Sequence, residues 1–307
     1  MLLYTHPACL AHDPGAGHPE CPARLEAVLH AVRAGFPMTP WREAPRADRD
    51  ALLRVHTRDL VARVLDTPIA DQIRLDEDTA MSADSPEAAL RAAGAGIAAV
   101  DAVMSGDVRQ AFCAVRPPGH HATGPVAMGF CLFNSVAVAA AHALHAHGLE
   151  RVAIIDFDVH HGNGSQDIFA SDARVMYASS HQYPLYPNTG LAHERGVGNV
   201  VNATLSPGTD GEAFRHAWRE HLLPRVEAFR PQLVLVSAGF DGHRLDPLAD
   251  LMLEADDYRW LSAELAALAR RHADGRLVSM LEGGYSLAAL RACSVAHLQG
   301  LSGLTPA

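Results

Sequence analysis

One nine-residue segment, DFDVHHGNG at residues 156–164, restricts the fold of this chain more than any other feature. It follows the largely apolar run 151–155, which predicts a buried strand. Strand alternation sends Asp156 and Asp158 to the same side. A carboxylate that faces the core is costly unless it is paired or binds a cation. Two carboxylates followed by two histidines therefore predict a metal site with oxygen and nitrogen ligands.

Three other segments repeat this arrangement of an apolar run, a glycine and a chemically active residue. The run 111–115 leads into RPPGHH, the run 233–236 leads through serine into AGFD, and the run 277–281 leads into EGGY. Sites in α/β folds form beyond the carboxyl ends of parallel strands. If the four strands are parallel and adjacent, their ends meet at one edge of the sheet, and we expect a single site there.

The alternation of helical and strand patterns predicts one domain over residues 1–307. The predicted fold is α/β, with a mostly parallel central sheet, helices on both of its faces and the active site at the C-terminal ends of the strands. Besides an N-terminal strand, the predicted strands lie at 111–115, 151–157, 174–178, 232–237 and 276–281. The predicted helices lie at 23–34, 50–66, 86–105, 133–147, 211–229 and 255–273. We expect the long loops at 66–85, 181–210 and 240–254 to shape the active site.

Composition limits the partners that we expect. A net charge of −10 argues against general nucleic-acid binding. The 307 residues are 49% apolar, but no run approaches the roughly 18 uninterrupted apolar residues of a membrane helix. The start of the chain lacks the features of a signal peptide, and the five cysteines form no CxxC pair, so we expect reduced thiols in the cytoplasm. The sequence leaves open whether the protein is a homo-oligomer.

The motifs RPPGHHA, DFDVHHGNG, AGFD and EGGY, in this order and spacing, resemble the zinc-dependent histone deacetylase family. That family includes acetylpolyamine amidohydrolases and acetoin-utilisation proteins. The likeness runs from Gly17-His18-Pro19-Glu20 to Tyr285, and Asn163 is similar to the class II branch, because other branches carry aspartate there. The resemblance implies an arginase/deacetylase-like fold and an amidohydrolase that removes acetyl or another short acyl group from an amine.

Asp158, His160 and Asp241 are the predicted metal ligands. One imidazole and two carboxylates that leave a position open suit a catalytic Zn²⁺ and its water. Fe²⁺ is an open alternative, because geometry and metal availability decide selectivity as much as affinity does. The competing interpretation is that each residue only caps a strand or helix end. Three such residues at two matching strand ends favour the metal.

The pair His120–His121 follows a Pro-Pro-Gly turn that directs both rings into one space. One histidine is expected to act as general base on the attacking water, and the other to help protonate the leaving amine. The resemblance makes His121 the base and acid, oriented by Asn163, and pairs His120 with Asp156. The amide of Asn163 should leave His121 less basic than a carboxylate would.

Tyr285 follows two glycines that allow its loop to approach the substrate closely. We expect its phenol to donate a hydrogen bond to the developing oxyanion, a type of stabilisation that is usually the largest single contribution. A tyrosine that only packs against the sheet edge is the alternative. The complete set of catalytic residues argues against a catalytically idle acyl-lysine binder, which is the second functional class considered.

The resemblance assigns further positions around the substrate. Gly129, Phe130 and Tyr186 would form the walls of an acyl-lysine tunnel, unless the two aromatic rings belong to the core. Asp78 would hold the substrate backbone amide, unless its acidic loop is a solvated turn. Arg24 would line the pocket through which the acid product leaves, unless it lies on a helix surface.

The resemblance alone also implies structural K⁺. These positions follow from the resemblance of the motifs, and the spacing of the residues in the sequence does not predict them. One monovalent-cation site would be formed by Asp156, Asp158, His160 and Ser179. The backbone carbonyls of Phe169 and Val175 would lie near a second site.

Leu248 occupies the position where polyamine-selective relatives place a glutamate that binds a distant ammonium group. A leucine cannot do this, so we expect acyl-lysine in proteins or peptides as the substrate. Hydrolysis of acetylpolyamines or other small amides is the alternative. The chain departs from the family pattern at Ser135, where a second asparagine is common, and at Asn188, where glycine is usual. The second departure is expected to alter the loop beside Tyr186 and hence the acyl chain that is accepted.

Overall fold

The computed structural model describes residues 1–303, which contain ten strands and eleven α-helices. The strands are β1 Leu2–Thr5, β2 Trp41–Glu43, β3 Gln72–Arg74, β4 Ala80–Ser82, β5 Gln110–Cys113, β6 Val152–Asp156, β7 Val175–Gln182, β8 Val200–Leu205, β9 Leu233–Ala238 and β10 Leu277–Leu281. The helices are α1 Ala8–Ala11, α2 Pro22–Gly35, α3 Arg49–Leu52, α4 Arg58–Leu65, α5 Ser85–Ser105, α6 Ser135–Ala146, α7 Asn163–Phe169, α8 Gly211–Ala217, α9 Leu223–Phe229, α10 Ala255–His272 and α11 Leu287–Ser302.

Eight strands form one parallel sheet in the order β2-β1-β5-β10-β9-β6-β7-β8. Strands β3 and β4 pair separately and are antiparallel. The four strands that precede the motifs, β5, β10, β9 and β6, are consecutive neighbours in the sheet. The prediction that their carboxyl ends meet at one edge is therefore confirmed.

Helices cover the sheet on both faces. Every residue of β6, β9 and β10 is buried, and since successive side chains point to opposite faces, neither face of these strands is open to solvent. Helix α5 packs against α6, and both contact central strands. Helix α11 packs against α10 and α2 in a second helical layer. The predicted single α/β domain with a parallel central sheet is confirmed.

Helix α5 is long and apolar enough, by length and composition, to cross a membrane. However, 67% of its most apolar window is buried inside the protein, where its alanines pack against α6, β5 and β10. Small side chains let a helix approach its neighbours closely. The apolar character of α5 is explained by its place in the core.

The predicted elements agree with the structure to within a few residues for the five central strands, and less well at two helices. The predicted helix 50–66 is two short helices, α3 and α4, and the predicted helix 211–229 contains a π-helical turn at Trp218–Leu222. Strands β2 and β8 and helices α1, α7 and α11 lie where no element was predicted, and the short strands β3 and β4 lie in the predicted loop 66–85. Residues 304–307 of the predicted domain lie outside the described residues.

Candidate active site

The motif segments leave the sheet at adjacent strand ends, and their side chains share one space. Asp156 is the last residue of β6, and its register partners are Ser179 in β7 and Ser237 in β9. Asp158 and His160 follow β6 directly and are buried. The parallel register therefore brings residues that are far apart in sequence to one edge, as the motif pattern predicted.

The predicted metal ligands Asp158, His160 and Asp241 form a compact buried group. Nδ1 of His160 lies 3.1 Å from Oδ1 of Asp158 and 3.1 Å from Oδ2 of Asp241. Backbone N–H groups hold both carboxylates: Gly283 donates to Asp158, and Val159 donates to Asp241. All three potential ligand atoms lie within 4.8 Å of one another, so a single ion fits between them.

The charge balance of this group favours a cation. Burial and repulsion from Asp158 raise the pKa of Asp241 to about 7. Burial alone would lower the pKa of His160, but its hydrogen bonds to both carboxylates raise it to about 10. Two buried carboxylates thus draw positive charge to Nδ1 of His160. A divalent cation would supply that charge and bind all three donors, so the residues fit a zinc-type ligand set.

The rings of His120 and His121 lie 4.0 Å apart in opposite electrostatic environments. Nδ1 of His120 lies 3.0 Å from Oδ2 of Asp156. Burial alone would lower the pKa of His120, but Asp156 and Asp158 raise it to about 10. Burial, followed by the charges of His120 and His160, holds the pKa of His121 well below its usual value. At neutral pH His120 is cationic and His121 is neutral.

Asn163 determines which nitrogen of His121 is free. Nδ1 of His121 lies 2.8 Å from Oδ1 of Asn163, and a carboxamide oxygen only accepts, so Nδ1 donates. Nε2 then carries the lone pair. Gly129 makes room for this ring: its φ is +58°, and a Cβ there would lie 2.5 Å from Cδ2 of His121. The arrangement suits a neutral imidazole that accepts a proton through Nε2.

Tyr285 lies at the same cavity and is anchored through its backbone. Its N–H donates to Oδ2 of Asp246 over 2.7 Å, and the guanidinium of Arg24 lies 4.8 Å from its ring centroid. Burial raises the pKa of the Tyr285 phenol well above its usual value, although Arg24 opposes this effect. The phenol is protonated at neutral pH and can donate a hydrogen bond.

His121, His160 and Tyr285 line one cavity of about 210 Å³. It contains eight predicted site residues, and Leu185 was not predicted. Phe130 has a positive φ of 67°, and its N–H donates to Oγ1 of Thr79, so the ring is held at the cavity by its backbone. The lining residues are Asp78, His121, Gly129, Phe130, His160, Leu185, Tyr186, Leu248 and Tyr285.

The remaining positions at the rim and below the cavity are also located. The carboxyl group of Asp78 accepts from Thr79 Oγ1 and is half-buried, and burial raises its pKa. Asn188 has φ of 62°, the left-handed region that glycine adopts readily, beside Tyr186. Arg24 is fully buried and donates to the carbonyls of Gly284 and Glu282, so the helix-surface alternative for Arg24 is excluded.

The residues assigned to K⁺ lie in two places. Ser179 is buried beside Asp156, and its Oγ lies 2.9 Å from Nδ1 of His181. The carbonyls of Phe169 and Val175 each accept from Nδ2 of Asn199 over 2.7 Å. The carbonyls of Phe169 and Val175 therefore already accept a hydrogen bond from a side chain of the protein, that of Asn199. Both assignments remain predictions.

Sequence reasoning missed several groups that hold the site together. Asp246 accepts from the N–H groups of Leu248, Tyr285 and Ser286, and so joins the loop after β9 to the loop after β10. Its place in the DPL segment beside Leu248 was the only signal. Glu282, the first residue of EGGY, has a buried carboxylate for which the motif alone predicts no role.

A buried ion-pair network lies below Tyr285. Glu20 accepts from both Arg24 and Arg116, and His12 lies 3.3 Å from its second oxygen. Burial would raise the pKa of Glu20, but Arg116 and His12 hold it well below the usual value. The GHPE and RPPGHH motifs therefore meet through a charge pair, which neither motif revealed alone.

A second group of potential metal ligands lies on the surface. Nε2 of His142 and Nε2 of His147 each lie 2.7 Å from the same oxygen of Asp101. Asp101 is 52% exposed, and hydrogen bonds from the two imidazoles satisfy it. This surface trio lies on α5 and at the end of α6, remote in the sequence from every motif.

Comparison with known proteins agrees with this geometry. The family model of the histone deacetylase domain matches residues 18–301. The chain is 40% identical over 300 residues to a histone deacetylase-like amidohydrolase of Pseudomonas aeruginosa, covering 95% of this chain and 79% of the relative. It is 39% identical over 293 residues to a probable deacetylase of Archaeoglobus fulgidus, covering 93% and 81%.

Comparison of the structure leads to the same family. The crystal structure of the HDA15 HD domain superposes with a TM-score of 0.94 at 35% sequence identity, covering 100% of this chain and 89% of that one. The chain therefore belongs to the histone deacetylase family.

Proposed function

We propose that this protein is a zinc-dependent deacylase that hydrolyses the Nε-acetyl, or another short Nε-acyl, amide of lysine in proteins or peptides. Family membership and relatives named as deacetylases and amidohydrolases support hydrolysis of an amide. The observation that carries the proposal is one cavity lined by His160 of the predicted ligand set, by the neutral imidazole of His121 and by the protonated phenol of Tyr285.

Asp158, His160 and Asp241 would hold the divalent ion. When bound, such an ion supplies Lewis-acid chemistry to the carbonyl and the attacking water. Zinc is proposed because one nitrogen and carboxylate oxygens with an open side suit it, and Fe²⁺ is the alternative that metal analysis would distinguish. The two buried carboxylates alone do not select between them.

The chain's own residues account for the proton movements. Nε2 of His121 takes a proton from the water that attacks the acyl carbon, because Asn163 occupies Nδ1. Tyr285 donates a hydrogen bond to the oxygen that becomes negative in the tetrahedral intermediate. His121 then gives its proton to the lysine nitrogen as the C–N bond breaks, leaving a carboxylic acid and a free amine. Cationic His120, whose ring lies 4.0 Å from that of His121, adds positive charge beside the base.

The cavity wall supports lysine over polyamines as the amine. Leu248 lines the cavity and offers no charge to a second ammonium group. An acetylated lysine side chain carries no second ammonium group, whereas an acetylpolyamine carries one at a distance from the acetylated nitrogen. Acylated lysine is therefore the proposed partner. K⁺ as a structural ion and the cytoplasm as the location remain predictions from the resemblance and the cysteine pattern.

The test is turnover of an acetyl-lysine peptide beside acetylspermidine by zinc-loaded protein, with a chelated sample as the control. We expect chelator-sensitive cleavage of the peptide and poor cleavage of acetylspermidine. Leu248→Glu is the matched variant: it should improve acetylspermidine turnover while the peptide rate falls. Preference of the native protein for acetylspermidine would overturn the lysine assignment and keep the chemistry. Turnover of neither would support the idle binder.

A further inference from the structure

Glu282 has a buried side chain that the proposed mechanism does not use. It follows β10, is 1% exposed and does not line the cavity. Its Oε2 accepts from the N–H of Gly119 over 2.6 Å and from the N–H of His120 over 3.2 Å. Its Oε1 accepts from Oγ of Ser237 over 3.1 Å. One carboxylate therefore meets three donors from two other strand ends.

Those donors belong to segments that carry the reacting groups. Gly119 and His120 directly precede His121, and Ser237 lies on β9, the strand that leads to Asp241. Glu282 itself lies three residues before Tyr285. The turn at residues 117–121 is called the histidine turn below. Among residues 1–303, Glu282 accepts hydrogen bonds from two N–H groups of this turn, those of Gly119 and His120. The carboxylate thus ties the histidine turn to the strand end that presents the phenol.

The backbone of Glu282 is fixed from below. Its carbonyl accepts from Arg24 over 2.6 Å, and the same guanidinium donates to the carbonyl of Gly284. Its N–H donates to the carbonyl of Ala238 over 3.0 Å. A residue whose main chain is held in this way transmits its position to whatever its side chain binds.

We infer that Glu282 is a positioning residue that sets the histidine turn, and through it His121, at the correct distance from Tyr285. The inference rests on the proposed function for its catalytic consequence, but its geometric part stands alone. Two consecutive N–H groups directed at one oxygen restrict the turn more than a single hydrogen bond would. Small misplacements of a general base lower turnover steeply, since the reacting atoms must lie within a narrow range of distances.

Three substitutions separate position from charge. Glu282→Gln keeps an oxygen that accepts from the turn and an NH₂ that faces Ser237, but removes the negative charge. Glu282→Ala removes the acceptor. Ser237→Ala is the matched control, because it removes one donor to Glu282 and leaves the turn bound. We expect kcat to fall on the order of 10²-fold in Glu282→Ala, with little change in KM, and to stay within about threefold in the other two.

A second measurement does not depend on activity. Amide hydrogen exchange and ¹H–¹⁵N spectra report the N–H groups of Gly119 and His120 directly. We expect both to exchange faster in Glu282→Ala than in the native protein, and to stay protected in Glu282→Gln. Should the alanine variant fail to fold, Glu282→Asp, which is shorter by one methylene, gives the same two readings.

The outcomes are distinguishable. If the native protein cleaves no acyl-lysine peptide but Glu282→Ala exposes both amides, the proposed function fails and the positioning role remains. If Glu282→Ala leaves exchange and kcat unchanged, the inference is overturned. It is also overturned if Glu282→Gln loses as much kcat as Glu282→Ala while the amides stay protected, because charge rather than position would then matter. Loss of kcat with exposed amides in Glu282→Ala, restored in Glu282→Gln, supports it.

Discussion

Two groups of carboxylate and imidazole side chains in this protein have nearly the same chemistry and opposite surroundings. In the buried trio, Asp158, His160 and Asp241, an imidazole nitrogen lies 3.1 Å from each of two carboxylates. In the surface trio a carboxylate oxygen of Asp101 lies 2.7 Å from each of two imidazoles. Side-chain types and distances alone would make both candidates for a metal site.

The difference lies in the balance of charge and in access to water. The surface trio has one negative charge, solvent around it and two imidazoles that can each donate a hydrogen bond. The buried trio has two carboxylates, one imidazole and no solvent at the carboxylates, both of which are 0% exposed. Unpaired charge is costly in such a place, so the buried trio needs a cation and the surface trio does not. Burial and an excess of carboxylate, more than ligand identity, distinguish the candidate metal site.

The largest expected effect comes from breaking the buried trio. Asp241→Ala should lose bound metal and lower kcat/KM for an acetyl-lysine peptide by about 10³-fold or more, because several kcal/mol of charge stabilisation depend on the ion. Metal content by mass spectrometry and steady-state kinetics check this. Asp101→Ala is the matched control and should keep both. Equal metal loss in the two variants would remove the distinction between the trios.

The second largest effect is expected at Tyr285, whose phenol lies at the cavity that His160 of the buried trio also lines. Tyr285→Phe should lower kcat by about 10²- to 10³-fold while the protein keeps its metal, because an oxyanion donor is removed and no ligand is. Single-turnover kinetics and metal analysis measure the two quantities. Tyr186→Phe, in the same cavity, is the control and should lose much less. Near-normal turnover of Tyr285→Phe would contradict the assigned role.

A smaller effect concerns pH. Neutral His121 is the proposed base, so activity is lost as pH falls through its pKa, and the depressed pKa places this acidic limb of kcat/KM below pH 6.5. Asn163→Asp adds a carboxylate that favours the protonated ring and should move the limb upward by about one pH unit.

Asn163→Ala is the comparison for that shift. It removes the acceptor for Nδ1 without adding charge, so it should lower kcat and leave the limb below that of Asn163→Asp. A pH–rate profile in which Asn163→Asp shows no upward movement would mean that another group is the base.

The smallest effect is expected at the surface trio. Asp101→Asn should change the free energy of unfolding by about 1 kcal/mol or less, because exposed charge pairs contribute little. Urea denaturation measures this change. Turnover and metal content should match the native protein. If the native protein bound two equivalents of metal and Asp101→Asn bound one, the exposed surface trio would also be a metal site, and burial would not distinguish the two groups.

Much of this organisation was predictable because local patterns carried it. The apolar runs before each motif placed β5, β6, β9 and β10, and the rule for parallel strands then placed their ends together. Helix α7, which was missed, lacks such a local pattern. Helix α7 begins with Asn163 and Gly164, residues typical of turns, and its first turn is held by Ser165 donating to the carbonyl of His120. That contact comes from tertiary structure and leaves no periodicity.

The site divides in the same way. Residues that are proposed to act on the substrate or to bind the metal stand in motifs, so His121, Asp158 and Tyr285 could be named from the sequence. Two residues that hold those groups, Glu282 and Asp246, were not recognised, because they act through backbone N–H groups of distant loops. Such partners depend on how loops pack. A sequence shows a carboxylate there, and only the fold shows what it binds.

The order of strands also determines when this site can exist. Strand β10 lies between β5 and β9, although it is made long after β5 and follows β9 in the chain. Until it is inserted, β5 and β9 have no neighbour on their facing sides, and the histidine turn lacks Glu282 and Tyr285. A nascent chain of which only the first 270 residues have left the ribosome therefore contains every predicted metal ligand. It lacks β10, Glu282 and Tyr285, so the candidate active site cannot yet assemble. We therefore expect hydrolytic activity to appear only after β10 has been synthesised and has paired with β5 and β9.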